Sequence, residues 1–211
     1  KREKLVLSSD KNCYFHENFN EVRLAWNGFI KNDPSSEELR ARISALRSKI
    51  YSDGSDRDLL MVDAIRSVIT KRVNTASSRL LPLYSGVEPQ LWEGYLQQDK
   101  SIRELWPAQI LLGESGIFKG TSGVVQMPTS AGKTRSCELI IRSTFLAKRT
   151  KLAIIVAPFR SLCQEIFNDL TLQFKYDANI VIDIVSDVLQ NDLDDSKENS
   201  QRVLVLTPEK L

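Results

Sequence analysis

The clearest chemical signal in the sequence is one short run, Met127-Pro128-Thr129-Ser130-Ala131-Gly132-Lys133-Thr134. Gly123-Val124-Val125-Gln126-Met127 before it reads as a strand, and Lys133 to Ala147 after it reads as an amphipathic helix. Strand, loop and helix in that order form the layout of a phosphate-binding P-loop. Backbone N–H groups of such a loop point inward at an anion, and the helix adds its positive N-terminal end. Gly132 permits the close turn, Lys133 neutralises the outer phosphates, and the Thr134 hydroxyl is placed to ligate Mg²⁺. By average composition, Gly-Lys-Ser/Thr alone turns up by chance in roughly one chain in ten of this length. The flanking strand and helix therefore carry as much of the inference as the triplet does.

Other chemistries find little support. Cys13, Cys137 and Cys163 lie in no metal-ligand spacing, and His16 is the only histidine, which disfavours a zinc site, a disulfide scaffold or a Ser-His-Asp triad. The 211 residues, 42% hydrophobic and 27% charged, suit a globular protein with one or two domains. The formal net charge is +2, so a nucleic-acid site must be a local arrangement of Lys and Arg. Apolar runs such as Leu152 to Pro158 are too short to span a bilayer, and no charged-then-apolar leader opens the sequence. No membrane partner is expected, and the cytoplasm is the expected location, with the nucleus or nucleoid as the alternative.

Two regions of different pattern must hold these residues in place. Residues 1–100 carry helix signals: Ser35-Ser36-Glu37-Glu38 caps a stripe of Leu39, Ile43, Leu46 and Ile50. A second helix starts near Ser55-Asp56 and carries Leu59, Leu60, Val62, Ile65, Val68, Ile69 and Val73; a third covers Pro89 to Gln97. Arg40, Arg42 and Arg47 read as a solvated face, with phosphate contact as the sharper alternative. In residues 101–211, Leu152 to Ala157, Ile180 to Val185 and Val203 to Leu206 read as strands, with a helix over Ser161 to Phe174. Alternating strands and helices imply a parallel sheet with right-handed crossovers. Asp187, Asp192, Asp194, Asp195 and Glu198 read as an acidic surface loop.

Set in this frame, Pro128 to Thr134 resembles motif I of superfamily 2 helicases, especially the Ski-type DExH branch, although Met127 stands where the first glycine of a P-loop would be. Leu105-Trp106-Pro107-Ala108-Gln109 is similar to the segment whose glutamine precedes motif I by about two dozen residues and reads the adenine edge. An amide offers a donor and an acceptor together, as adenine N6 and N7 require. Ala157 to Glu165 resembles motif Ia, and Leu206-Thr207-Pro208-Glu209-Lys210-Leu211 resembles motif Ic.

The resemblance covers Leu105 to Leu211 and rests on four motifs in order. It implies a RecA-like α/β motor preceded by an all-helical region, binding ATP and Mg²⁺ through Gln109, Pro128, Thr129, Ser130, Ala131, Gly132, Lys133 and Thr134. It also implies nucleic acid, DNA or RNA, held by Arg160, Ser161, Thr207 and Pro208. The helical region is a candidate for recruiting a protein partner. Motif II, with its metal-binding acid and water-orienting Glu, normally follows motif Ic, so the sequence reads as part of a longer protein and is expected to be inactive in ATP hydrolysis alone. The alternatives are a P-loop ATPase that remodels protein and a nucleotide-dependent scaffold that does not unwind nucleic acid.

Overall fold

Helices dominate the described residues up to 114 because the apolar positions recur at three and four residues and few β-branched clusters interrupt them. The computed structural model describes residues 16–30, 36–128, 131–184 and 200–211. Two compact units are present, Lys1–Ser78 and Arg79–Leu211.

The first unit holds α1 (His16–Ile30), α2 (Ser36–Asp53) and α3 (Asp56–Thr75). Leu39, Ile43, Leu46 and Ile50 of α2 all point inward, as their spacing predicts, and pack with Val22 and Trp26 of α1 and Val62, Ile69 and Val73 of α3. Ser55 caps α3 in a reciprocal box with Asp58, satisfying N–H groups that the helix itself cannot. On α3, Leu60 and Val68 face outward, a difference from the single apolar stripe expected there. The arginines of α2 are engaged with side chains of this unit: Arg42 with Glu38 and Glu21, Arg47 with Asp63, and Arg40 with Asn74. That fits the solvated-face reading, since each of the three already has a side-chain acceptor within its own unit.

The second unit holds α4 (Ser77–Ser85) from Arg79 onward, α5 (Pro89–Leu96) and α6 (Pro107–Glu114), and continues through a 3-10 turn at Ile117–Lys119 to α7 (Lys133–Leu146). Pro82 sits inside α4, a position that local propensity disfavours. Burial of Leu80 and Leu81 beside Trp92, Tyr95, Leu112, Phe118 and Leu139 outweighs that cost. Then come β1 (Leu152–Val156), α8 (Arg160–Gln173), β2 (Ile180–Ile184) and β3 (Gln201–Leu206). Among the described residues the sheet has the order β1-β3-β2, all parallel, with Val156 opposite Leu206 and Ile184 opposite Val205. Val203 and Val205 of β3 are buried under Ile141 and Phe145 of α7, Cys163 and Leu170 of α8, and Phe174 just after α8. The parallel sheet with flanking helices is the RecA-like α/β arrangement expected from the sequence.

One expected element is absent. Gly123 to Met127 does not form a strand; the segment lies outside regular structure, with Val124 fully exposed and Val125 half-exposed. A strand exists only through ladder hydrogen bonds to a neighbour, and no described strand runs beside this one, so its β-prone composition has nothing to pair with. The acidic residues Asp187 to Glu198 lie outside the described residues.

Gly113 is packed so tightly against α4 that a β-carbon on it would fall 2.2 to 2.8 Å from ring carbons of Tyr84. Alanine normally stabilises a helix by about 1 kcal/mol over glycine, but a forced shift of a packed ring costs about 1–3 kcal/mol. Gly113→Ala is therefore expected to lower the thermal unfolding midpoint. A raised midpoint would mean that Tyr84 moves aside freely.

Candidate nucleotide and nucleic-acid site

The site is assembled on the first turn of α7. Gly132 takes a left-handed conformation, φ 79°, which only glycine adopts at little cost, and so turns the chain into the helix. Ser136 is the first residue whose N–H reaches an intrahelical carbonyl, that of Gly132 at 2.9 Å. The N–H groups of Lys133, Thr134 and Arg135 precede it and have no intrahelical partner by geometry. With the helix dipole and the exposed ammonium of Lys133, they make this end suited to an anion. Thr134 is half-buried beside it. Pro128 is exposed, and its carbonyl accepts the Ala131 N–H at 3.2 Å, closing the loop. Thr129 and Ser130 lie outside the described residues.

Gln109 is placed by α6, which starts at Pro107. It is not a surface glutamine: its exposure is 3%. Its Oε1 accepts the Trp106 backbone N–H at 2.9 Å, which caps α6. Its Nε2 lies beside Gly132, 3.7 Å from where a β-carbon on that glycine would sit. Two residues 23 positions apart thus meet, leaving the amide one further oxygen lone pair and its N–H donors toward the loop.

Beneath the loop runs a buried ionic network that the sequence reading missed. Glu138 and Arg142 are 1% and 3% exposed. Arg142 donates from Nε to Glu138 (2.9 Å), from Nη1 to Asp177 (2.9 Å) and from Nη2 to the Gln173 carbonyl (2.8 Å), and its guanidinium lies over the rings of Tyr95 and Phe174. Arg135 donates to the other Glu138 oxygen at 2.8 Å and to the Lys100 carbonyl at 3.2 Å. Burial, with the nearby Glu138 charge, pushes the Tyr95 hydroxyl well above its ordinary pKa, and that hydroxyl accepts the Ile102 N–H. The spacing of Glu138 and Arg142 at i and i+4 was visible in the sequence, but such pairs usually lie on solvated faces.

The two proline turns meet at the carboxyl edge of the sheet. Arg160 and Ser161, both exposed, open α8 just after β1; Thr207 and Pro208 follow β3. The Ala157 N–H donates to the Leu206 carbonyl at 2.9 Å, locking the turns side by side. The Thr207 hydroxyl, and more weakly the charge of Arg160, hold the Glu209 carboxyl below its usual pKa.

A family description, DEAD/DEAH box helicase, matches residues 104–211, just over half of the sequence. The chain belongs to the DEAD/DEAH box helicase family. This helicase-family chain is 30% identical over 115 residues to Hachiman protein HamB of Bacillus cereus, covering 54% of the chain and 10% of that protein. It is 34% identical over 70 residues to ATP-dependent DNA helicase Hel308 of Pyrococcus horikoshii, and 32% identical over 72 residues to the Hel308 of Pyrococcus abyssi, about a third of the chain and 10% of each relative. The chain thus spans about a tenth of the length of these curated relatives. No solved structure matches it.

Arg160→Ala is expected to weaken nucleic-acid binding about equally for all sequences, because a phosphate contact carries no base information. Loss of one phosphate contact should lower the slope of log K against log salt by roughly one unit or less. Titrations of a single-stranded oligonucleotide at several salt concentrations measure both; superimposed wild-type and mutant lines would remove Arg160 from the interface.

Proposed function

We propose that this chain is the front part of the first motor domain of an ATP-driven superfamily 2 helicase or translocase acting on nucleic acid. The observation that carries the reading is the meeting of the buried Gln109 amide with the Gly132 turn, directly before the free helix end at Lys133. A base-reading amide and a phosphate-binding turn are thereby side by side. The donor set fits Mg²⁺-ATP: N–H groups and an ammonium for the outer phosphates, a Thr134 hydroxyl for the metal, and an amide with donor and acceptor capacity for adenine. Lys133 would hold the β- and γ-phosphates and Gln109 the adenine edge. Bound Mg²⁺ would neutralise phosphate charge. Arg160, Ser161, Thr207 and Pro208 would hold the sugar-phosphate backbone of the tracked strand. DNA is the first substrate to examine, because the Hel308 relatives are ATP-dependent DNA helicases by name. Residues 101–211 are read as the motor portion, and the helical region before it as an accessory element able to recruit a protein.

In the protein with its complete motor, Lys133→Ala is expected to cut steady-state ATP hydrolysis at least about 100-fold, the scale of losing a principal charge stabiliser in phosphoryl transfer. Wild-type hydrolysis by that variant would reject the phosphate-loop assignment.

Gln109→Ala removes a helix cap and the proposed base-reading group together. It should lower stability by about 1 kcal/mol and narrow the preference for ATP over GTP. Reduced stability with unchanged base preference would make Gln109 a cap alone.

A further inference from the structure

Arg135 follows the Lys133-Thr134 pair directly, and its guanidinium is turned to protein acceptors. One terminal nitrogen donates to Glu138 Oε2 at 2.8 Å and the other to the Lys100 carbonyl at 3.2 Å. The Glu138 end is fixed: that carboxylate is almost fully buried and its other oxygen is held by Arg142, itself anchored to Asp177 and the Gln173 carbonyl. The Lys100 end belongs to the segment that delivers Gln109. Around Lys100, the Ile102 N–H donates to the Tyr95 hydroxyl, Arg103 donates to the Leu96 carbonyl, and Leu105 is buried immediately before the cap of α6. Arg135 therefore spans from the phosphate-loop helix to the strap that carries the base-reading amide. Its β-carbon also lies 4.0 Å from where a side chain on Gly132 would begin, on the same turn that Gln109 Nε2 approaches.

We propose that Arg135 is a positioning residue of the nucleotide site, fixing the distance between the Gln109 amide and the Gly132 turn so that nucleotide affinity and base choice depend on it. Both terminal nitrogens are held by protein acceptors, so it acts through Lys100 and Gln109 and not by touching phosphate. The inference rests on the nucleotide-site reading given above. Its side chain is 35% exposed, and Glu138 keeps its second partner, Arg142, when Arg135 is replaced.

The test uses the protein with its complete motor and compares wild type, Arg135→Met, Arg135→Lys and Lys133→Ala. ATP and GTP hydrolysis are followed at saturating single-stranded DNA, with thermal unfolding in parallel. Arg135→Met should raise KM for ATP about 5- to 10-fold, the scale of losing one charge-assisted hydrogen bond at a half-exposed site. Its kcat should stay within about 2-fold and its preference for ATP over GTP should narrow. Arg135→Lys should fall between, because an ammonium reaches one acceptor but lacks the fork that spans two. A role confined to stability would lower the unfolding midpoint and leave KM and base preference at wild-type values, and that outcome overturns the proposal. If Arg135→Met does not fold, wild-type KM and base preference in Arg135→Lys decide against it equally. Hydrolysis by Lys133→Ala at the wild-type rate would instead reject the underlying nucleotide-site reading; an inactive Lys133→Ala beside wild-type behaviour in both Arg135 variants rejects the Arg135 inference alone.

Discussion

A buried ion pair sets the geometry of the second unit. Arg142 and Glu138 share one face of α7, and neither has water to solvate it. A buried guanidinium is tolerated only when its donors are met, and removing one partner of such a pair typically costs about 3–5 kcal/mol. Arg142 meets the requirement through Glu138, Asp177 and the Gln173 carbonyl, with Tyr95 and Phe174 against its flat faces. These partners come from α5, from the end of α8 and from the approach to β2. The rotation of α7 about its axis is thereby fixed relative to each of them, and the Lys133 end of the helix is fixed with it.

The apolar residues of α7 divide between two cores. Leu139 packs with α4, α5 and α6, while Ile141 and Phe145 cover the sheet. One helix therefore joins the Gln109 side to the strands whose ends carry Arg160 and Thr207. Arg149, just beyond α7, strengthens the join by donating to the carbonyls of Phe118 and Ser85. Parallel sheets are usually covered on both faces. Here the outer face of β1, with Leu152, Ile154 and Val156, is substantially exposed, as are Val124 and Val125.

The first unit follows a simpler rule. Its core is an interlocking of apolar stripes from α1, α2 and α3, and its surface charges are matched locally, as Arg42 with Glu38 and Arg47 with Asp63. Such exposed pairs contribute little, because water and salt screen them. The fold of this unit therefore rests on the stripes.

What the sequence determined by itself was local: the helix starts at Ser36, Asp56, Pro89 and Lys133, the strands at Leu152, Ile180 and near Val203, and the turn chemistry of Gly132. Periodicity, capping residues and the freedom of glycine act over a few residues, so their consequences can be read along the chain. The motif order from Gln109 to Thr207 was legible for the same reason, and the family match at residues 104–211 agrees with it. Tertiary structure alone decided that Gly123 to Met127 stays unpaired, that Pro82 is carried inside a helix, and that Glu138 and Arg142 are interior residues and not a surface pair. It also brought Gln109 against Gly132 and set Arg160 within the field of Glu209. Each of these depends on which neighbour arrives from a distant part of the chain, because pairing, desolvation and charge interactions are properties of separation in space and not of spacing in sequence.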